Sequence, residues 1–295
     1  MAGIHRLLIF LTIACLTAAP VGAAQKLPNL AESCDPVLQN SLERCLSKLK
    51  LDKAAERKNL SVALVDITDP KSPRLASVNP NEMMYAASLP KIAILLGAFD
   101  RIERGDMTLD DETREKLTRM IRNSSNEAAT EMLNRVGKEY LARLLQSPRY
   151  RLYDPKRNGG LWVGKGYSKA PAWKRDPLHH ISHGATALQV ARFYYLLQNG
   201  LLVSPEMSRE MKEILGHPAI HHKFVKGLER KDPKSRIYRK SGTWSIYHAD
   251  SAIIEHDGRR YIAVAMAESP QGGEWLSNLI VALDDLITKK PQVRP

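Results

Sequence analysis

Ala249-Asp250-Ser251-Ala252-Ile253-Ile254-Glu255-His256-Asp257-Gly258-Arg259-Arg260-Tyr261-Ile262-Ala263-Val264-Ala265-Met266 is the stretch that decides the fold. Two apolar runs flank Asp257–Gly258, and an Asp-Gly pair between such runs is a favoured two-residue hairpin turn. The pattern predicts antiparallel strands over Ala249 to Glu255 and Arg259 to Met266, with a third strand upstream over Ile237 to Trp244. Near the other end of the chain, Ser61 to Ile67 reads as a strand, and Arg74 to Val78 as its hairpin partner beyond Asp69–Pro73. The segments between are helical in period: Ser88 to Glu103 ended by Gly105, Leu109 to Arg122, and Asn126 to Val136 ended by Gly137. Ala185 to Gln198, with Thr186 as cap and Gly200 as stop, and Ser204 to Leu215 continue that series. Leu38, Leu42, Leu46 and Leu49 predict an N-terminal amphipathic helix, and Glu274 to Thr288 a C-terminal one. Residues 147–182, rich in Gly, Pro and Lys, read as a long ordered loop, and such loops are usually functional.

Strands at both ends and helices in the middle predict an α+β fold. One antiparallel sheet is built from both chain ends, with the terminal helices on one face. The middle helices form a second lobe, leaving a cleft between.

Composition agrees with a folded chain. Of 295 residues, 43 % are hydrophobic and 26 % charged, which excludes a disordered tail or a fibre. The net charge of +12 admits nucleic acid, an anionic membrane surface or an acidic envelope polymer as partner. The amino terminus narrows the choice. A basic start at Arg6, an apolar run from Leu7 to Ala18 and small residues through Ala24 have the order of a secretory signal. Residues 1–24 are thus expected to be a signal peptide and 25–295 one domain, exported to the periplasm or secreted. A lipoprotein signal is the alternative, since Ala14 precedes Cys15, although Thr12 stands where Leu is usual. No later apolar run reaches the roughly 20 residues of a membrane span. No nucleic-acid partner, no stable membrane anchor and a monomeric state are expected.

Two cysteines, Cys34 and Cys45, follow the signal in a disulfide-permissive setting. A helix unbroken from Pro36 separates them by about 16 Å, beyond the reach of a disulfide. A helix starting near Ser41 lets Cys34 fold back and makes the bridge possible. His179, His180 and His183 cluster, as do His217, His221 and His222, but no acidic third ligand accompanies His217 and His221. No metal and no cofactor are expected.

Ser88-Leu89-Pro90-Lys91 sets a hydroxyl and an amine on one face of a helix start. Pro90 suits a first turn, and free N–H groups there point at a developing oxyanion. The spacing alone is weak, because Ser47–Lys50 matches it within a predicted helix. Order and context separate the two. Ser124-Ser125-Asn126 falls where a helix begins, and Lys240-Ser241-Gly242 falls on a strand followed by Thr243 and Trp244. Ser-x-x-Lys, Ser-x-Asn and Lys-Ser-Gly, in that order, form the signature set of serine β-lactamases and penicillin-binding proteins. Over residues 36–289 the sequence resembles the class A β-lactamase family.

The resemblance implies roles. Ser88 is the expected nucleophile and Lys91 its base. Ser124 passes a proton to the leaving nitrogen, and Asn126 holds the substrate amide. Lys240 and Ser241 bind the substrate carboxylate, and Gly242 leaves room for substrate along the strand edge. The backbone N–H groups of Ser88 and Thr243 form the oxyanion hole. Tyr153-Asp154-Pro155-Lys156-Arg157-Asn158 matches the family's Glu-Pro-x-x-Asn stretch, with Asp for Glu. It implies Asp154 as the activator of deacylating water and Asn158 as a substrate-side residue. A carboxylate one methylene shorter weakens that step, since a shift of about 1 Å can cost roughly a hundredfold in rate. Ser125 also stands where the family usually has an acid. Trp162 is expected to pack the loop, Lys165 to meet an anionic substrate or to serve packing, and His248 to line the cleft or not.

The function implied is an exported serine hydrolase opening β-lactam amides through an acyl-serine. The alternatives keep the nucleophile: a D-alanyl-D-alanine peptidase or other acyl hydrolase on cell-wall substrates, or a slow penicillin- or peptidoglycan-binding protein.

Overall fold

A computed structural model of the chain describes residues 27–289. The expected signal peptide and Cys15 lie outside the described residues. Helices α1 (Pro36–Lys48) and α2 (Asp52–Glu56) precede strands β1 (Leu60–Asp66), β2 (Arg74–Val78) and β3 (Met84–Tyr85). The helical lobe follows as α3 (Lys91–Glu103), α4 (Asp111–Arg122), α5 (Asn126–Val136) and α6 (Lys138–Gln146). The long loop carries β4 (Tyr153–Asp154), β5 (Gly159–Gly160), β6 (Trp162–Val163) and β7 (His183–Ala185). Then come α7 (Ala187–Gln198), α8 (Pro205–Leu215) and α9 (Phe224–Lys231). Strands β8 (Arg236–Trp244), β9 (Tyr247–His256) and β10 (Arg259–Glu268) lead to α10 (Gly272–Thr288).

The main sheet has the order β2-β1-β10-β9-β8 and is antiparallel throughout, so the first and last strands of the chain pair, Ala63 opposite Val264. Side chains alternate between two cores as the strand period demands. Val62 and Leu64, with Tyr261, Ala263 and Ala265, pack beneath α1, α9 and α10. Ala63 and Val65, with Ile262, Val264 and Met266, face α7 and the helical lobe. Burial on both faces explains why β1 and β10 read as near-continuous apolar runs. At the β9–β10 hairpin, Asp257 and Gly258 both take the positive φ that the turn requires.

Capping side chains fix several of the helix starts that the sequence pattern finds. Asp35, Asp110, Ser125, Thr186 and Ser204 each accept a first-turn N–H, fixing the starts of α1, α4, α5, α7 and α8. The helices absent from the sequence reading, α2, α6 and α9, are short and have no side-chain cap. Because Asp35 caps an unbroken α1, the first cysteine reading is the one observed, with Cys34 exposed and Cys45 buried as free thiols.

Candidate active site

The deciding contact lies between the helical lobe and the edge strand β8. Gly242 on β8 has no side chain, and a Cβ there would stand 2.1 Å from Ala86 O and 2.8 Å from Ser88 N. The space expected for substrate is thus first needed by the backbone of the Ser88 turn. That turn ends in α3, almost wholly buried from Lys91 to Asp100, so the nucleophile candidate is mounted on the central helix of its lobe. Ala87, just before Ser88, is held at φ +49.

Ser124 sits at φ +58 in the α4–α5 connection, and Ser125 rather than Ser124 caps α5. Freed from capping, Ser124 Oγ lies 3.0 Å from Lys240 Nζ and 3.4 Å from Lys91 Nζ. Lys91 Nζ also donates to Ser124 O at 2.6 Å and Asn126 Oδ1 at 2.9 Å, and it lies 4.5 Å from the centre of the Tyr167 ring. All these partners are neutral. Burial without a bonded carboxylate lowers the Lys91 pKa to about 7, so a sizeable fraction is free amine at neutral pH. Burial, then the charges of Lys91 and Arg239, also hold Lys240 well below the usual lysine range.

On β8, the two-residue turn Ser245–Ile246 makes Trp244–Tyr247 the closing pair. Hydrogen-bonded and non-bonded pairs alternate from there, so Thr243, opposite His248, turns its N–H away from β9. As the edge strand, β8 presents that donor beside the Ser88 turn.

Lys223, absent from the sequence reading, buttresses this strand. Its buried Nζ donates to Gly242 O and Thr243 Oγ1, each at 2.6 Å, and to Ala249 O at 3.2 Å. Beside it Arg239 and Asp250 form a buried two-point ion pair at 2.8 and 2.7 Å. Lys223 stands at φ +52 just before the uncapped α9, where no periodic signal marks it.

The cleft in front of Ser88 measures about 460 Å³. Ser88, Asn126, Thr243 and Trp244 line it, together with Lys165, Tyr167, Lys169 and His183 from the loop side. Lys165 is therefore a cleft residue, while Trp162 is buried and donates Nε1–H to Lys174 O at 3.1 Å. Tyr167 and Lys169 escape a sequence reading because residues 147–182 carry no helical or strand period, and His183 enters it only as a member of a histidine cluster. None of the described residues lining the cleft bears a carboxylate.

That absence corrects the expected deacylation pair. Asp154 is not brought to the cleft: its carboxylate accepts from Lys156 N at 3.0 Å, capping the short turn Pro155–Arg157, and it faces a separate cavity. Asn158, in left-handed conformation, donates to Asn81 O at 2.9 Å and bonds His179 Nε2 through Oδ1 at 3.0 Å. Both side chains serve the loop. His248 also lies elsewhere, against Gly272 and Gly273. His217 and His221 pair separately, with Glu213 and Glu229. Among the described residues, metal-type donors converge at Asp232, His256 and Asp257, where the imidazole itself bridges the two carboxylates.

A family model described as the beta-lactamase enzyme family matches residues 41–116 and 112–290. No curated protein matches the chain significantly. Among solved structures, a β-lactamase from Sphaerobacter thermophilus is 15% identical at TM-score 0.67, covering 85% of this chain and 98% of that one. PBP-A is 17% identical at TM-score 0.63, covering 88% and 97%. A PBP-A mutant solved as an acyl-enzyme complex with penicillin G is 18% identical at TM-score 0.62, covering 87% and 97%. At these identities the likeness speaks for the fold, and the family match spans most of the chain. This chain belongs to the β-lactamase enzyme family.

Proposed function

We propose that Ser88 is the nucleophile of a penicillin-reactive acyl hydrolase that forms its acyl-enzyme readily and hydrolyses it slowly. Membership of the β-lactamase enzyme family makes the chain a β-lactamase-type hydrolase. The observation that carries the finer reading is Ser124 Oγ held between the side-chain nitrogens of Lys91 and Lys240 beside a cleft that contains Ser88 and no described carboxylate.

In the reaction, neutral Lys91 takes the Ser88 proton as Oγ attacks the lactam carbonyl carbon. The oxyanion is received by the N–H groups of Ser88 and Thr243. Collapse breaks the C–N bond, and the nitrogen takes a proton relayed from Lys91 through Ser124. Lys240, Ser241 and the Thr243 hydroxyl bind the substrate carboxylate. Asn126, whose Oδ1 is engaged by Lys91, offers its amide N–H groups to the acyl side chain. Trp244, 65 % exposed at the rim, gives that side chain an apolar surface.

Hydrolysis of the ester needs a water activated on its open face. Tyr167 presents a ring, not a carboxylate, beside Lys91, and Asp154 is elsewhere. Among the described residues no carboxylate stands at the cleft to activate that water, and turnover is slow. The same features suit a carboxylate-bearing acyl peptide or ester as natural substrate. Export, expected from residues 1–24, would place that substrate in the cell envelope.

Fluorescent penicillin followed on a denaturing gel tests the reading. Label is expected on the wild type within minutes and to persist after washing, with none on Ser88→Ala. Equal labelling of Ser88→Ala would refute the assignment of the nucleophile.

A further inference from the structure

A second cavity, of about 630 Å³, shares no residue with the Ser88 cleft. Arg149, Arg151, Arg157 and Arg192 line it against two acids, Asp154 and Glu32. Both acids are engaged locally, Asp154 with Lys156 N and Glu32 with the Asn29 amide. Arg149 lies 4.0 Å from Asp100, whereas Arg151, Arg157 and Arg192 have no ion-pair partner among the described residues. Arg192 is half-buried on α7, and its Nη1 donates only to neutral oxygens, Arg151 O at 2.8 Å and Gln189 Oε1 at 2.7 Å. Burial, then the charge of Arg157, holds its pKa below the ordinary value.

A partly buried guanidinium with guanidinium neighbours and only an unbonded carboxylate, Asp154, acting on it is an incompletely compensated charge, which folded proteins normally pair. The planar fork of arginine matches phosphate or carboxylate oxygens two at a time. Apart from Asn29, the rest of the wall is apolar, including Leu30, Leu196, the body of Tyr195, and Leu201, which is 48 % exposed. The volume is several times that of a single oxyanion and falls in the range of small-molecule sites. We infer that this cavity binds an amphipathic anion: a phosphate monoester head held by Arg151, Arg157 and Arg192, with an alkyl body along Leu30, Leu196 and Leu201. The site is independent of the Ser88 chemistry.

Calorimetric titration of the purified protein at low salt tests this with octyl phosphate below its micelle concentration, inorganic phosphate, and uncharged octyl glucoside. Octyl phosphate is expected to bind at least about tenfold tighter than either of the others, since each lacks one half of the recognition. The double variant Arg151→Glu, Arg157→Glu should weaken it by about a hundredfold, because two charge-assisted contacts become repulsive. Neither side chain makes a hydrogen bond among the described residues, so the variant's thermal unfolding midpoint should stay near the wild-type value. Sedimentation with vesicles containing phosphatidic acid separates the two sources. Arginine-dependent capture assigns the head to a lipid surface; binding of the monomer alone assigns it to a soluble ester. The proposal is overturned if octyl phosphate does not bind, if inorganic phosphate or octyl glucoside binds as tightly, or if the folded double variant binds unchanged.

Discussion

Lys91 concentrates the chemistry of this site in one buried nitrogen. Its partners are carbonyl, hydroxyl and amide oxygens, and burial brings its pKa to about 7. If the free amine is the base, the acylation rate of Ser88 rises as pH passes through about 7 and levels off above it; a stopped-flow profile with a nitrocefin-type substrate reads this directly. Lys91→Ala should slow acylation by about a hundredfold or more, the usual worth of a positioned general base. Asp154→Asn should leave release of the acyl group unchanged within about twofold, because its carboxylate caps a turn outside the cleft. A chase experiment in which this variant alone traps the label would restore Asp154 to the mechanism. At this scale the sequence is readable where identity and order carry the meaning: Lys91, Ser124, Asn126 and Lys240 are joined by hydrogen bonds, and Ser88 lines the same cleft as Asn126. It misleads at Asp154, where Pro and Asn at the right spacing describe a turn equally well.

Edge strand β8 is the element on which the geometry depends. It lies against the Ser88 turn because Gly242 lets backbone approach backbone, and Lys223 holds it from behind through Gly242 O and Thr243 Oγ1. Gly242→Ala puts a methyl group into Ala86 O, so the strand must retreat from Ser88. Acylation is expected to fall steeply while unfolding in urea costs about 1–3 kcal/mol, the usual penalty of overpacking. A variant with wild-type acylation would show that strand and turn need no close contact. Strand β8 is legible from its alternation and from the motif it carries. Its buttress is not, since Lys223 precedes an eight-residue helix without a capping side chain. The loop between α6 and α7 is recognisable only as a loop. Its walls for the cleft come from single side chains, Lys165, Tyr167 and His183, placed by long-range packing that leaves no period in the sequence.

Across the whole molecule, the sheet joining both chain ends follows from the two hairpins, and its two cores follow from burial of β1 and β10 on both faces. Among the described residues the interior holds four basic side chains, Lys91, Lys223, Arg239 and Lys240. Lys91, Lys223 and Lys240 are all buried and all depressed, Lys223 to about 8. A lysine with a lower pKa in the folded than in the unfolded state makes folding release a proton. Stability should therefore rise from pH 7 to pH 9, by up to about 1.4 kcal/mol per pH unit for each lysine fully in that window. Urea midpoints across that range check the sign; a fall would contradict it. Asp250→Ala strands Arg239 in the interior and is expected to cost about 3–5 kcal/mol by the same denaturation. The central claim, that this family member acylates readily and releases slowly, is tested most directly by intact-protein mass spectrometry over time after mixing with benzylpenicillin. One adduct, on Ser88, that outlasts removal of free drug by many minutes is the predicted result. No adduct, or one that clears within seconds while penicillin is consumed in many turnovers, would contradict it.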